Sequence, residues 1–261
     1  MARLQFHLNS PSLRFTTQLE MVVPECPRNA DSTAYYAPEH KLPFMLLLHG
    51  AGGNASQWLR YSHIEQLAEE YGFIVACPTA HNSSYMNMAY GHRWADWVYK
   101  DVWDFVHATF PVYDDPDHNF IAGLSMGGYG AFRGALQYPE KYGWCVALSS
   151  GASIVQEMVE PNSRFDKLWI CAGKPEDGVI GGENDLYAEA ERLIASGKKL
   201  PHLFDACGTE DFGLAQNIRF RDHLQKLGYE VTWVEDSGAH NWDYWNAHLR
   251  MACEWLPFTK K

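Results

Sequence analysis

The chain of 261 residues has no apolar run much longer than Phe44–Leu48, so nothing in it reads as a membrane span. It has no excess of positive charge. Lys and Arg number 21 against 32 Asp and Glu, a net charge of −11, which repels phosphate backbones and argues against nucleic acid or anionic lipid as a partner. It has no C-x-x-C pair. Cys26, Cys77, Cys145, Cys171, Cys207 and Cys253 lie far apart, four of them within the apolar segments FIVACP, WCVALS, LWICAG and LFDACG. They read as small buried hydrophobes rather than a disulfide framework or a zinc site, and no metal is expected. The opening stretch MARLQFHLNSPSLRF lacks the continuous apolar region of a signal peptide, and a cytoplasmic location is expected. No repeat, low-complexity tract or long polar linker divides the chain, which fits a single domain over 1–261.

What is present is 46% hydrophobic and 20% charged, the balance of a folded globular chain. The aromatic share is high, 14% with 10 Trp and 14 Tyr. Rings beyond the needs of a core line ligand pockets or subunit contacts.

The hydrophobic pattern alternates strand and helix. Strands are predicted over 13–23, 43–48, 73–78, 119–123, 144–148, 202–207 and 230–235. Helices are predicted over 56–71, 94–110, from just after Ser125, and over 184–196, 214–227 and 242–255. Short continuous apolar strands between amphipathic helices imply an α/β fold with a mostly parallel sheet covered on both faces. Residues 151–200 gather Gly, Pro and charge around one helix, and read as an excursion over one edge of the sheet.

Gly123-Leu124-Ser125-Met126-Gly127 is a G-x-S-x-G pentapeptide. Alone it is modest evidence, and its flanks decide it: the strand NFIAG precedes and the helix YGAFRGALQYP follows, the setting of a nucleophile elbow. Ser125 as a mere helix cap is the weaker reading. The helix start offers the Met126 N–H and a positive dipole end where an oxyanion would form. A second donor is expected in the turn after the strand LLLH, with Ala51 favoured and Gly52 the other candidate. The base should come late in the chain. Of 12 histidines, His240 follows a strand and the turn DSGA, whereas His49 sits in the early turn and His248 inside a helix. The acid expected is Asp211, after the strand ending at Cys207, with Glu210 as substitute and Asp205 inside the strand itself.

With these residues in place, the sequence resembles the esterase D and tributyrin esterase group of α/β-hydrolases, relatives of S-formylglutathione hydrolases and of feruloyl and acetylxylan esterases. The resemblance spans nearly the whole chain and rests on LLLHGAGG, SYMNMAYG, FIAGLSMGGYGAF, ALSSGA, PHLFDACGTEDF and GAHNWDYWNAHL. It implies an α/β-hydrolase fold, a Ser125, Asp211, His240 triad, an oxyanion hole from the Ala51 and Met126 amides, no cofactor, short-chain acyl esters as small-molecule substrates, and frequent homo-oligomers. Feruloyl or acetyl-sugar esters and S-formylglutathione are the alternative substrates. A non-catalytic binding module would be expected to have lost Ser, His or acid, and all three are present. Two features depart from the family pattern: Asp205 stands where an apolar residue is usual, and 171–183 is idiosyncratic. His81, Ser84, Tyr85, Met86, Tyr90 and Trp242 are the candidate pocket wall, with Tyr85, Tyr90 and Trp242 nearest the proposed triad; Trp58, Trp94, Trp97 and Trp103 are expected to pack on helices.

Overall fold

Segments such as FMLLL and IVACP are apolar at every position because the strands they form are covered on both faces. In the computed structural model, which describes residues 1–258, eight strands make one sheet in the order β1-β2-β4-β3-β5-β6-β7-β8. They are β1 (Ala2–Ser10), β2 (Phe15–Val23), β3 (Phe44–Leu48), β4 (Ile74–Pro78), β5 (Asn119–Leu124), β6 (Trp144–Leu148), β7 (His202–Gly208) and β8 (Val231–Asp236). β1, β2 and β4 pair antiparallel, and every pairing from β4 through β3 to β8 is parallel.

Alternate residues of each central strand feed two separate cores. Leu46 and Leu48 join one, beneath the helices Val102–Thr109, Met126–Gln137, Leu186–Ser196 and Leu214–Lys226; Met45 and Leu47 join the other, beneath Gln57–Tyr61, Ile64–Tyr71 and Trp242–Trp255. Trp58, Trp94 and Trp97 are buried in these layers and Trp103 packs against them, as their helical spacing suggested.

The structure adds elements that the periodicity did not yield. β1 was not anticipated, although Leu4, Phe6 and Leu8 alternate with exposed residues in the manner of a half-buried edge strand. The helix predicted over 56–71 is two helices, broken at Ser62-His63, where the Ser62 hydroxyl donates to Trp58 O. Residues 151–200 hold not one helix but three, Ile154–Met158, Trp169–Ala172 and Leu186–Ser196, joined by short 3-10 turns. Among the described residues every cysteine is free and no helix is long and apolar enough to cross a membrane.

Asp205 interrupts the apolar run of β7 and lies between Ala147 and Trp233 of the flanking strands. It is 1% exposed, and neither carboxyl oxygen has a hydrogen-bond partner. Burial pushes its pKa far above the ordinary carboxylate range, with Arg221 opposing weakly. Asp205 is therefore a neutral acid in the folded chain, while the unfolded chain releases that proton above about pH 4. The stability it permits is full below that pH and declines as pH rises toward the folded value. Replacing Asp205→Asn keeps the shape and removes the titration. The Tm of the variant relative to wild type should be higher at pH 8 than at pH 4 by roughly 3 °C or more. Calorimetric scans at the two pH values check this, and a difference independent of pH would refute the neutral-acid reading.

Candidate active site

Because β3 and β5 to β8 run parallel, their carboxyl ends open onto one edge of the sheet, where loops from different strands converge. Leu48 leads into His49-Gly50-Ala51, Leu124 into Ser125, Leu148 into Ser149, Gly208 into Asp211, and Asp236 into His240.

Ser125 joins β5 to the helix Met126–Gln137 at φ 53°, ψ −118°, a conformation that costs a non-glycine residue about 1–3 kcal/mol. The turn is enforced by close approach on both sides. A Cβ on Gly123 would lie 2.2 Å from Gly127 O, and one on Gly127 would lie 2.3 Å from Leu48 O. Backbone bonds then tie the turn to β6: Ser125 N donates to Leu148 O (2.8 Å) and Gly151 N to Ser125 O (3.2 Å).

The Ser125 hydroxyl lies 2.9 Å from His240 Nε2, and His240 Nδ1 lies 2.8 Å from Asp211 Oδ2. An ionised carboxylate only accepts, so Nδ1 carries the imidazole proton and Nε2 is left to accept from Ser125. Burial alone would raise the Asp211 carboxyl; hydrogen bonds from His240, from Gly213 N–H (2.7 Å) and from Ser149 outweigh it and hold the group below the ordinary range. Ser149 is itself in a left-handed conformation (φ 49°) and accepts from Trp245 Nε1 at 3.0 Å. Its hydroxyl thus links the indole to the carboxylate.

Two backbone amides of the cavity lining are left without an acceptor. Met126 N–H is the first of its helix, and both Met126 and Ala51 line the cavity in front of Ser125. Neither amide has an acceptor among the described residues. Gly52 is different: its N–H donates to Asn82 Oδ1 at 2.7 Å. Gly50 N–H is held by Gln57 Oε1 at 3.1 Å. Two side chains that sequence reasoning passed over, Gln57 and Asn82, therefore fix the turn so that Ala51 is the amide left open.

The other candidates have other occupations. Glu210 is exposed and grips the loop before His240, its carboxylate accepting from Gly238 N–H and its own N–H donating to Gly238 O (3.0 Å). His49 is buried: Ala80 N–H donates to its Nε2 (3.0 Å) and its Nδ1 contacts Gly50 O (2.7 Å). Burial lowers its pKa to about 4, so it stays neutral. His248 lies in the final helix against Tyr244 O and Asp236.

A cavity of about 490 Å³ opens over Ser125. Ser84 of the six predicted wall residues lines it; Tyr85, Tyr90 and Trp242 do not. Tyr85 is fully buried, its hydroxyl donating to His49 O at 2.7 Å, so it braces the turn from behind. Tyr90 is 55% exposed and stacks edge-on against Trp169, away from the cavity. Trp242 packs between Trp58 and Tyr61, and one helical turn later Trp245 takes the place predicted for it, its ring 5.0 Å from the His240 imidazole. His81 and Met86 are likewise absent from the lining. The wall that sequence reasoning missed comes largely from the excursion and the acid loop: Ile154, Arg164, Phe165, Leu168, Phe212 and Gln216. A single signal, Phe212 directly after Asp211, pointed there.

A mostly parallel sheet with a strained serine elbow, a histidine and a carboxylate at adjoining strand ends defines an α/β-hydrolase. The Esterase family model matches residues 25–256, and the chain belongs to that family; it is a hydrolase of esters. An acetyl esterase from Caldicellulosiruptor saccharolyticus is 29% identical over 98% of each chain. Two solved structures from Staphylococcus aureus are each 30% identical over 98% of each chain: the fluorophosphonate-binding serine hydrolase FphF in a substrate-bound form, with a TM-score of 0.86, and an S-formylglutathione hydrolase apoenzyme, with a TM-score of 0.83.

If Asp211 orients the imidazole, Asp211→Asn should leave the thermal melt close to wild type while kcat on a p-nitrophenyl ester falls by about 10³–10⁴-fold. Steady-state kinetics check this, and near-normal turnover would remove Asp211 from the site.

Proposed function

We propose that the protein is a serine carboxylesterase acting on short-chain acyl esters through an acyl-enzyme. The observation that carries the reading is the line from Ser125 Oγ through His240 to Asp211, at 2.9 and 2.8 Å, beside the open amides of Ala51 and Met126. His240 Nε2 takes the hydroxyl proton as Ser125 Oγ attacks the ester carbonyl. The carbonyl oxygen, now an anion, accepts from the Ala51 and Met126 N–H groups; each such donor is worth about 3 kcal/mol of barrier. The imidazolium gives its proton to the leaving alkoxide, and the alcohol departs. Water then enters, loses a proton to His240, and attacks the acyl-serine; collapse returns the proton to Ser125 and frees the acid. Asp211, held ionised, stabilises the imidazolium in both halves. No step calls for a cofactor.

The reading treats 1–261 as one domain with 151–200 lying over the active-site edge, in keeping with Arg164, Phe165 and Leu168 in the cavity wall. It includes a cytoplasmic location and a homo-oligomer. Tyr90, Trp169 and Ile170, exposed and in mutual contact, supply apolar surface for a second copy; a monomeric elution volume at micromolar concentration would count against that part.

The test is a hydrolysis panel on wild type and Ser125→Ala, with acetyl to octanoyl p-nitrophenyl esters, methyl ferulate, acetylated xylan and S-formylglutathione. The expected result is highest kcat/KM on acetyl to butyryl esters and loss of at least 10³-fold in the variant on all of them. Full activity in Ser125→Ala would end the proposal, and a preference for ferulate or the thioester would replace its substrate class.

A further inference from the structure

Among the residues that line the cavity there is one full cation, Arg164, and no Asp or Glu, although the chain as a whole carries a net charge of −11. Arg164 makes no ion pair and no hydrogen bond among the described residues. Its guanidinium instead lies over two rings, 4.0 Å from the Phe212 centroid and 4.7 Å from that of Phe165. A guanidinium held against aromatic rings with no acceptor of its own keeps its N–H groups for a ligand, and its fork can receive a carboxylate with two parallel hydrogen bonds.

Phe212 connects this guanidinium to the catalytic candidates. The Phe212 ring is 60% exposed and its centroid is 4.4 Å from the His240 imidazole. Phe212 thus stands between Arg164 and His240, the group that hands its proton to the leaving group, and Arg164 lines the same cavity as Ser125. The amides of Ala51 and Met126 come from the ends of β3 and β5, and Arg164 is the one full cation in the cavity lining.

We propose that Arg164 is a specificity-determining residue that binds a carboxylate carried on the alcohol portion of the substrate, so that the preferred substrates are esters with an anionic leaving group. The inference rests on the esterase reading above and deepens it. Phe212 has two tasks in this arrangement: it closes one side of the imidazole and it holds the guanidinium at a fixed distance from the reacting centre. Glu157, which holds Gln216 of the same cavity wall, is itself paired with Arg219 rather than with Arg164.

The test compares 4-acetoxybutanoate with 4-acetoxybutanamide, which share the acetyl group and differ only in carboxylate against carboxamide. Wild type should favour the carboxylate at low ionic strength, with the preference shrinking as salt is added. In Arg164→Gln the ratio of kcat/KM for the two esters should fall at least tenfold, chiefly through KM, as expected for loss of a charge-assisted pair. Arg164→Lys should recover part of the ratio, since it restores charge without the fork. No preference in wild type, an unchanged ratio in Arg164→Gln, or equal loss on both esters would overturn the proposal. Monoethyl succinate carries its carboxylate on the acyl side; a larger effect of Arg164→Gln there would overturn the leaving-group assignment. Hydrolysis of the neutral amide ester, abolished by Ser125→Ala, reads the esterase mechanism separately. Its absence would overturn both readings, whereas its presence with an Arg164-independent ratio overturns only this one.

Discussion

The close approach of strand, turn and helix at Gly123, Ser125 and Gly127 is the constraint from which the rest of the site follows. With no Cβ at either glycine, the helix Met126–Gln137 can start within van der Waals distance of β5 and of Leu48 O in β3. The serine between them is forced into a conformation it would not choose, and that strain aims its hydroxyl out of the sheet edge. The same step places the first helical N–H beside the hydroxyl and brings β3 and its turn to the other side. One backbone event therefore fixes a hydroxyl, one amide, and the strand end that supplies the second.

Two carboxyl groups a few residues apart show how the surroundings divide chemical roles. Asp205, inside β7, is sealed against apolar neighbours with no donor to either oxygen, and burial keeps it protonated. Asp211, just past the end of the same strand, is also buried, but His240, Gly213 N–H and Ser149 all donate to it and it remains ionised. The difference is the strand end, where the backbone stops consuming its own donors and a left-handed turn such as Ser149 can bring a hydroxyl inward. An acid needed as an anion has to sit where the ladder has finished.

Much of this was legible in the order of residues. Strands buried on both faces announce themselves as short apolar runs, and the alternation with helices predicted the parallel sheet. Ser125 and Asp211 could be singled out because each follows such a run and His240 because it follows the half-exposed edge strand β8, and in a parallel sheet all those positions meet at one edge. What periodicity could not supply was side-chain direction within a loop or a first helical turn. Trp242 and Trp245 are chemically alike and three residues apart, yet one turns to Trp58 and the other to His240. Tyr85 looked like a pocket residue and is a buried brace, because its hydroxyl finds His49 O behind the turn. Gln57 and Asn82 act only through single hydrogen bonds to backbone amides, which leave no pattern in sequence. β1 was missed for the opposite reason: its alternation is plain but weak, since an edge strand keeps half of its residues in water.

The aromatic surplus divides along the same line. Most rings lie in the two layers that cover the sheet, where they could be exchanged for other apolar groups of similar volume without touching the chemistry. Those that meet the catalytic candidates or line the cavity are few, and they arrive from different elements: Trp245 from the last helix through Ser149, Phe212 from the acid loop against the imidazole, and Phe165 from the excursion in the cavity wall. Chemistry thus belongs to strand ends that the sheet holds in register, while the shape and charge of the cavity mouth belong to loops outside the sheet. Phe212 is the exception that joins the two sets: it follows Asp211 in one loop, so that strand end fixes the acid and one side of the mouth together, whereas Ile154, Arg164, Phe165 and Leu168 lie on the excursion and can change without moving the serine elbow, the amides or the acid.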